Sequence, residues 1–142
     1  MNNVIKRNWF YNNPREEVWE YLTNAELISK WLMPNNFKLE VGYEFEFWTN
    51  PIPELSLDGN FYCKVIEIIP QKKLVYSWRG GPNKNNPTLD TIVTWNLLIA
   101  GNRTELRLVH TGFKDENGSI LSSMYNGWDE HIQKMITKLK DS

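Results

Sequence analysis

The sequence predicts an α+β fold, an antiparallel sheet with one long helix on its apolar face. Three observations carry that prediction. Successive segments from residue 43 onward alternate apolar and polar residues or run aliphatic, with turn residues between them. The last segment, Gly118–Lys140, repeats apolar residues at three- and four-residue spacing. Two short helical segments with start signals follow the first strand. An amphipathic helix must bury its stripe, and a curved sheet with one apolar face offers the place.

The first strand is read over residues 4–11 (VIKRNWFY), closed by a turn at Asn12 and Asn13. Pro14 then stands where a first helical residue belongs, Asn13 can cap, and Glu16 lies three positions after it. The first helix is placed over Pro14–Leu22, with Val18, Trp19 and Leu22 apolar. Thr23 and Glu26 repeat the S/T-x-x-E start signature. A second helix is therefore placed over Asn24–Leu32, with Leu27, Ile28, Trp31 and Leu32 apolar and Pro34 ending it.

Four strands follow. Residues 43–49 (YEFEFWT) set Phe45 and Phe47 against Glu44 and Glu46. Residues 59–69 (GNFYCKVIEII) are long and aliphatic. Residues 74–79 (LVYSWR) put Leu74, Tyr76 and Trp78 on one side; residues 91–100 (TIVTWNLLIA) do the same with Val93, Trp95, Leu97 and Ile99. The Ala100-Gly-Asn-Arg103 run is a tight hairpin signal, because Gly and Asn tolerate positive φ. It leads into residues 104–113 (TELRLVHTGF), where Leu106, Leu108 and His110 share a side opposite Glu105 and Arg107. Short turns between consecutive strands predict an antiparallel meander. The longer connections, Asn50–Asp58 and Gly80–Asp90, are expected as mobile loops at one rim.

The helix over 118–140 carries Leu121, Met124, Trp128, Ile132, Met135, Ile136 and Leu139 in one stripe, with Asn117 or Ser119 as cap. Asp129, Glu130 and Gln133 are expected on its solvated face. Gly127 interrupts this helix at a cost of about 1 kcal/mol relative to alanine. Such a cost suggests close approach of a strand, or room for Trp128 and a ligand.

The chain of 142 residues suits one domain, residues 1–142, with one core. Sixteen basic against seventeen acidic residues leave a formal charge of −1, which gives no electrostatic reason to expect nucleic acid. No apolar run reaches the length of a membrane span, and the N-terminus lacks a signal-peptide pattern. One cysteine, Cys63, rules out an intrachain disulfide and fits a reducing compartment. A soluble cytoplasmic protein is expected. Two histidines and one cysteine, with no H-x-x-x-H or C-x-x-C spacing, predict neither metal nor cofactor. No phosphate loop or Ser-His-Asp order appears.

Four segments, VWEYLTNAELISKWL, VIEIIPQKKLVYSW, TELRLVHTGF and NGWDEHIQKM, occur in an order that resembles a known family. It is the domain homologous to the C-terminal part of the activator of the Hsp90 ATPase, within the START/Bet v 1-like (SRPBCC) superfamily. The resemblance covers about residues 8–139. It implies a helix-grip fold: a strongly curved sheet of six to seven strands around the long C-terminal helix, with a cavity between them. Across the superfamily such cavities hold lipids, sterols, polyketides or other apolar molecules, and some members are cyclases or dehydratases. The activator also works with a second, N-terminal domain, which is not read in this chain, so stimulation of a chaperone ATPase is not the expected activity.

The function expected on this basis is non-enzymatic binding of a small hydrophobic ligand. The alternatives are a chaperone-associated or other protein-interaction module, and a polyketide cyclase or dehydratase using His110 with Tyr76 or Tyr125. The expected cavity wall is Trp31, Phe45, Phe47, Trp78, Trp95, His110, Met124 and Trp128, with Met124 and Met135 able to adapt it. With so many large rings, a small or narrow cavity is expected over a roomy one. The family pattern also has a histidine before Thr-Gly-Phe. His110 is weighed there between a hydrogen-bonded structural residue, a polar handle for a ligand and an acid–base group. No catalytic partner is visible for it.

Overall fold

The computed structural model describes residues 3–140. The chain runs β1 (Ile5–Tyr11), α1 (Arg15–Thr23), α2 (Ala25–Trp31), β2 (Glu44–Trp48), β3 (Asn60–Ile69), β4 (Lys73–Gly80), β5 (Leu89–Ala100), β6 (Arg103–Thr111) and α3 (Gly118–Lys140). The six strands form one sheet in the order β1-β6-β5-β4-β3-β2, antiparallel at every pair. This is the helix-grip arrangement: a meander from β2 to β6, closed at one edge by β1, with α3 gripped on its inner face.

Local chemistry sets the turns. Ala100 pairs with Arg103 across a two-residue loop, and Gly101 has φ +65. Asn102 does not take a positive φ, so only the first central residue uses the left-handed region. In β3 the register shifts between Val65 and Glu67, a bulge that leaves Ile66 unpaired against β4. Bulges bend and twist a strand, which suits a sheet that must wrap a helix.

Three capping expectations are corrected. Asn13 does not cap α1; its Nδ2 donates to the Leu139 carbonyl at 3.2 Å, tying the end of α3 to the end of β1, and α1 starts after Pro14 without a side-chain cap. Thr23 does not cap α2, because its hydroxyl donates back to the Trp19 carbonyl inside α1 at 2.8 Å. Asn24 caps instead, accepting from the Leu27 N–H at 3.2 Å. Asn117 closes a 3-10 turn at Asp115–Asn117 just ahead of α3, accepting from the Lys114 N–H and donating to the Thr88 carbonyl.

The core lies between the sheet and the helices. On α3 the fully buried positions are Ile120, Trp128, Ile132, Met135 and Leu139, while Leu121, Met124 and Ile136 are only half-buried. The stripe is thus rotated slightly from the sequence reading. Trp128 sits over mid-sheet, its ring 5.6 Å from Trp78 on β4, 5.3 Å from Trp95 on β5 and 6.0 Å from His110 on β6. Asp129 is not simply solvated. It pairs with Arg7 and accepts from Trp9 Nε1, fastening α3 to β1. Ile99, expected inward, is 68 % exposed, because β5 there runs out into the hairpin one residue before its end. No helix among the described residues is long and apolar enough to cross a membrane.

Candidate functional site

A cavity of about 240 Å³ opens between the sheet, the end of α2 and the middle of α3. From α3 it is lined by Ser123, Met124, Gly127, Trp128 and His131. These recur at three- and four-residue spacing, so they share one helix face. Leu32 and Met33 line it just after α2, Phe61 and Trp78 from β3 and β4, and Thr49 and Ile52 from the connection after β2. Among the described residues no lysine, arginine, aspartate or glutamate lines it. A low-dielectric, uncharged wall favours neutral apolar molecules and disfavours anions, which would lose hydration without a counter-charge.

The connection from Asn50 to Asp58 is shaped to form this rim. It contains a 3-10 turn at Pro53–Leu55, a bridge between Ile52 and Leu57, and a buried Leu57. Gly59 anchors its end with φ +95, and a Cβ there would stand 2.5 Å from the Thr49 carbonyl oxygen. Only glycine combines that dihedral with that approach. The second long connection bonds to the first through the Asp58 N–H and the Gly81 carbonyl, at 2.8 Å, but does not line the cavity.

Gly127 has open space where its side chain would be: nothing outside its own helix lies within 4 Å of a Cβ built there. No strand approaches it. Of the two reasons a helix would carry this glycine, the geometry matches room at the cavity face.

The eight residues expected on the wall divide in two. Trp78, Met124 and Trp128 line the cavity. Trp31, Phe45, Phe47, Trp95 and His110 lie beside it in the packed core, each almost wholly buried. Their rings fill the interior edge to face: Trp31 on Trp95 at 6.1 Å, and Phe45 on Phe47 at 5.4 Å. Phe47 stacks under Trp78 at 4.9 Å. The indole N–H groups find partners where the core offers them: Trp31 donates to the Tyr21 carbonyl and Trp95 to the Tyr76 hydroxyl. Trp78 Nε1 is buried with no partner among the described residues, and an unmade bond of that kind costs about 1–3 kcal/mol.

His110 belongs to a closed chain of hydrogen bonds. Trp128 Nε1 donates to His110 Nδ1 at 3.1 Å, and His110 Nε2 lies 2.8 Å from Thr91 Oγ1. The Thr91 hydroxyl donates its only proton to the Trp78 carbonyl at 2.8 Å. The bond between His110 and Thr91 must therefore be donated by Nε2–H. The ring is neutral, its tautomer fixed by two protein partners, and burial pushes its pKa down to about 3. Both nitrogens are committed, so this ring has no lone pair or proton to offer a ligand. Tyr76 is sealed as well, its hydroxyl pKa raised by burial, and Tyr125 is about half exposed on α3 with Arg7 over its ring. The three polar groups considered for acid–base chemistry are thus all withdrawn from the cavity. Among the described residues no group of three or more His, Cys, Asp or Glu is placed to hold a metal.

His131 was not singled out for the wall from the sequence, although it follows Trp128 by three and Gly127 by four residues. Its Nδ1 lies 3.0 Å from the Trp31 carbonyl, at the end of α2. Desolvation lowers its pKa, aided by Lys134 and opposed by the Trp31 carbonyl and Glu130. Ile52 carried no periodic signal, since it comes from a non-repeating connection, and Thr49, read as the end of the strand over 43–49, lies just beyond β2.

The fold has parallels among known proteins. Protein MLL2253 from Mesorhizobium loti superposes with a TM-score of 0.87 at 27 % identity, over 98 % of each chain. Protein BH1534 from Bacillus halodurans gives 0.74 at 25 % identity over 94 % of each. The Aha1 dimer structure from Colwellia psychrerythraea gives 0.71 at 18 % identity, over 93 % of this chain and 92 % of that one, a likeness of fold alone. No curated protein matches the sequence. The profile of one family, described as activator of Hsp90 ATPase homolog 1-like protein, matches residues 12–140. With nine-tenths of its length covered by that profile, and a helix-grip sheet around α3, this chain belongs to the family of activator of Hsp90 ATPase homolog 1-like proteins.

Proposed function

We propose that this protein binds a small, neutral, hydrophobic molecule in the cavity between β3, β4, α2 and α3. One observation carries the reading: an uncharged pocket of about 240 Å³ has a glycine on its helical wall where an alanine would stabilise the helix. An apolar cavity of about 150 Å³ already suffices for benzene, so this one is large enough for a two-ring ligand. The withdrawal of His110, Tyr76 and Tyr125 into the core or onto the surface favours binding over acid–base chemistry.

The test uses the purified chain with Prodan, a neutral solvatochromic naphthalene, read by fluorescence and by native mass spectrometry. Saturable one-to-one uptake is expected, and Gly127→Leu should weaken it at least tenfold while leaving the far-ultraviolet circular dichroism unchanged. No uptake by the native chain, or equal uptake by the folded leucine variant, would remove the cavity as the binding site.

A further inference from the structure

We infer that His131 selects the ligand of this cavity through its Nε2 lone pair, so that the pocket prefers neutral apolar molecules bearing a hydroxyl or N–H donor. This rests on the binding reading above and narrows it to a class of ligand.

The Trp31 carbonyl is one of the last carbonyls of α2, which the helix itself leaves without an N–H partner. A carbonyl oxygen only accepts, so the contact at 3.0 Å places the ring proton on His131 Nδ1. A neutral imidazole carries one proton, and Nε2 is then an acceptor with a free lone pair. Burial holds the ring neutral near pH 7. Among the described residues no group bonds Nε2.

The rest of the wall makes this atom selective. Ser123 and Thr49 carry hydroxyls that rotate to donate or accept, so they match either kind of ligand. His131 is the one fixed acceptor side chain among the lining residues. A ligand without a donor would cover the lone pair and leave it unpaired, whereas an alcohol, phenol or amide N–H would satisfy it. A carboxylate would meet the lone pair and find no cation on the wall.

The competing explanation is that His131 only clamps α2 to α3. His131→Asn separates the two roles, because an asparagine amide N–H occupies nearly the position of Nδ1–H but nothing replaces Nε2. Three probes substituted at one ring position, naphthol, methoxynaphthalene and naphthoate, are titrated calorimetrically at pH 7.5. Naphthol should bind about tenfold more tightly than methoxynaphthalene, the ratio expected for one hydrogen bond made or missed, and naphthoate most weakly. In His131→Asn the naphthol preference over methoxynaphthalene should vanish, with the thermal midpoint retained. A second readout needs no variant: the His131 Nε2 nitrogen shift should move with naphthol and stay with methoxynaphthalene. Equal affinities in the native chain, or a preference that survives in His131→Asn, would overturn the role of His131 and leave the cavity reading standing. Failure of both naphthol and methoxynaphthalene to bind would overturn both.

Discussion

Gly127→Ala separates stability from function at one atom. Gly127 lies in the interior of α3, nine residues after its first residue, and has no positive φ. An added methyl meets nothing outside the helix within 4 Å, so no steric cost offsets the gain in helix propensity. That gain is about 0.8–1 kcal/mol. For a chain of 142 residues the unfolding entropy near the midpoint is about 0.3 kcal/mol/K, which converts the gain to about 3 °C. Differential scanning calorimetry reads the shift directly. The same methyl stands on the face shared by Met124, Trp128 and His131, so affinity for Prodan should fall as the midpoint rises. A midpoint that drops, or stays within 1 °C of the native value, would refute the account of Gly127. It would show that the glycine serves a backbone or packing need the geometry does not reveal.

Four further outcomes follow from the structure. His110 has a folded pKa of about 3 against about 6.5 unfolded, so the unfolded chain binds the extra proton between those values. Its contribution is intact above about pH 6.5 and is lost progressively as pH falls toward 3, by about 2 kcal/mol at pH 5, which urea unfolding at pH 7.5 and 5.0 measures. Long-range proton–nitrogen correlation should show His110 as the Nε2–H tautomer, unchanged down to pH 4.5; titration near pH 6 would contradict the sealed hydrogen-bond chain. Thr91→Val strands His110 Nε2–H in the core and should cost about 1–3 kcal/mol by urea unfolding, while Thr91→Ser should recover most of it. Gly59→Ala combines a φ of +95 with a Cβ 2.5 Å from the Thr49 carbonyl, so it should destabilise by more than about 1 kcal/mol and weaken Prodan binding by moving Thr49 on the rim.

The hydrogen bonds explain which sequence signals held locally and which were diverted. The Asn13 and Thr23 signals both matched a start rule, yet each side chain found a partner in another place. Asn13 reaches the far end of α3, a residue 126 positions away, which no local pattern encodes. Thr23 turns back on the preceding helix, leaving Asn24 to cap α2. The inward placement of His110 was legible because a strand has a period of two. Its two partners, on β5 and α3, were not, because they are brought to it by sheet register and helix docking.

By itself the sequence determined the order of elements, the meander, the amphipathic α3 and the family. The first three depend on short-range periodicity and turn chemistry, which are written in neighbouring residues; the family rests on the resemblance of four ordered segments. Only the tertiary structure decided which inward rings form a wall and which are filling. That depends on where α2, α3 and the connection after β2 stop short of covering the sheet. Trp78 and Trp128 stand at that gap, while Phe45, Phe47 and Trp95 lie under cover. The same docking gave His131 a free nitrogen by using its other one to hold the Trp31 carbonyl, a division of roles that no spacing along the chain could specify.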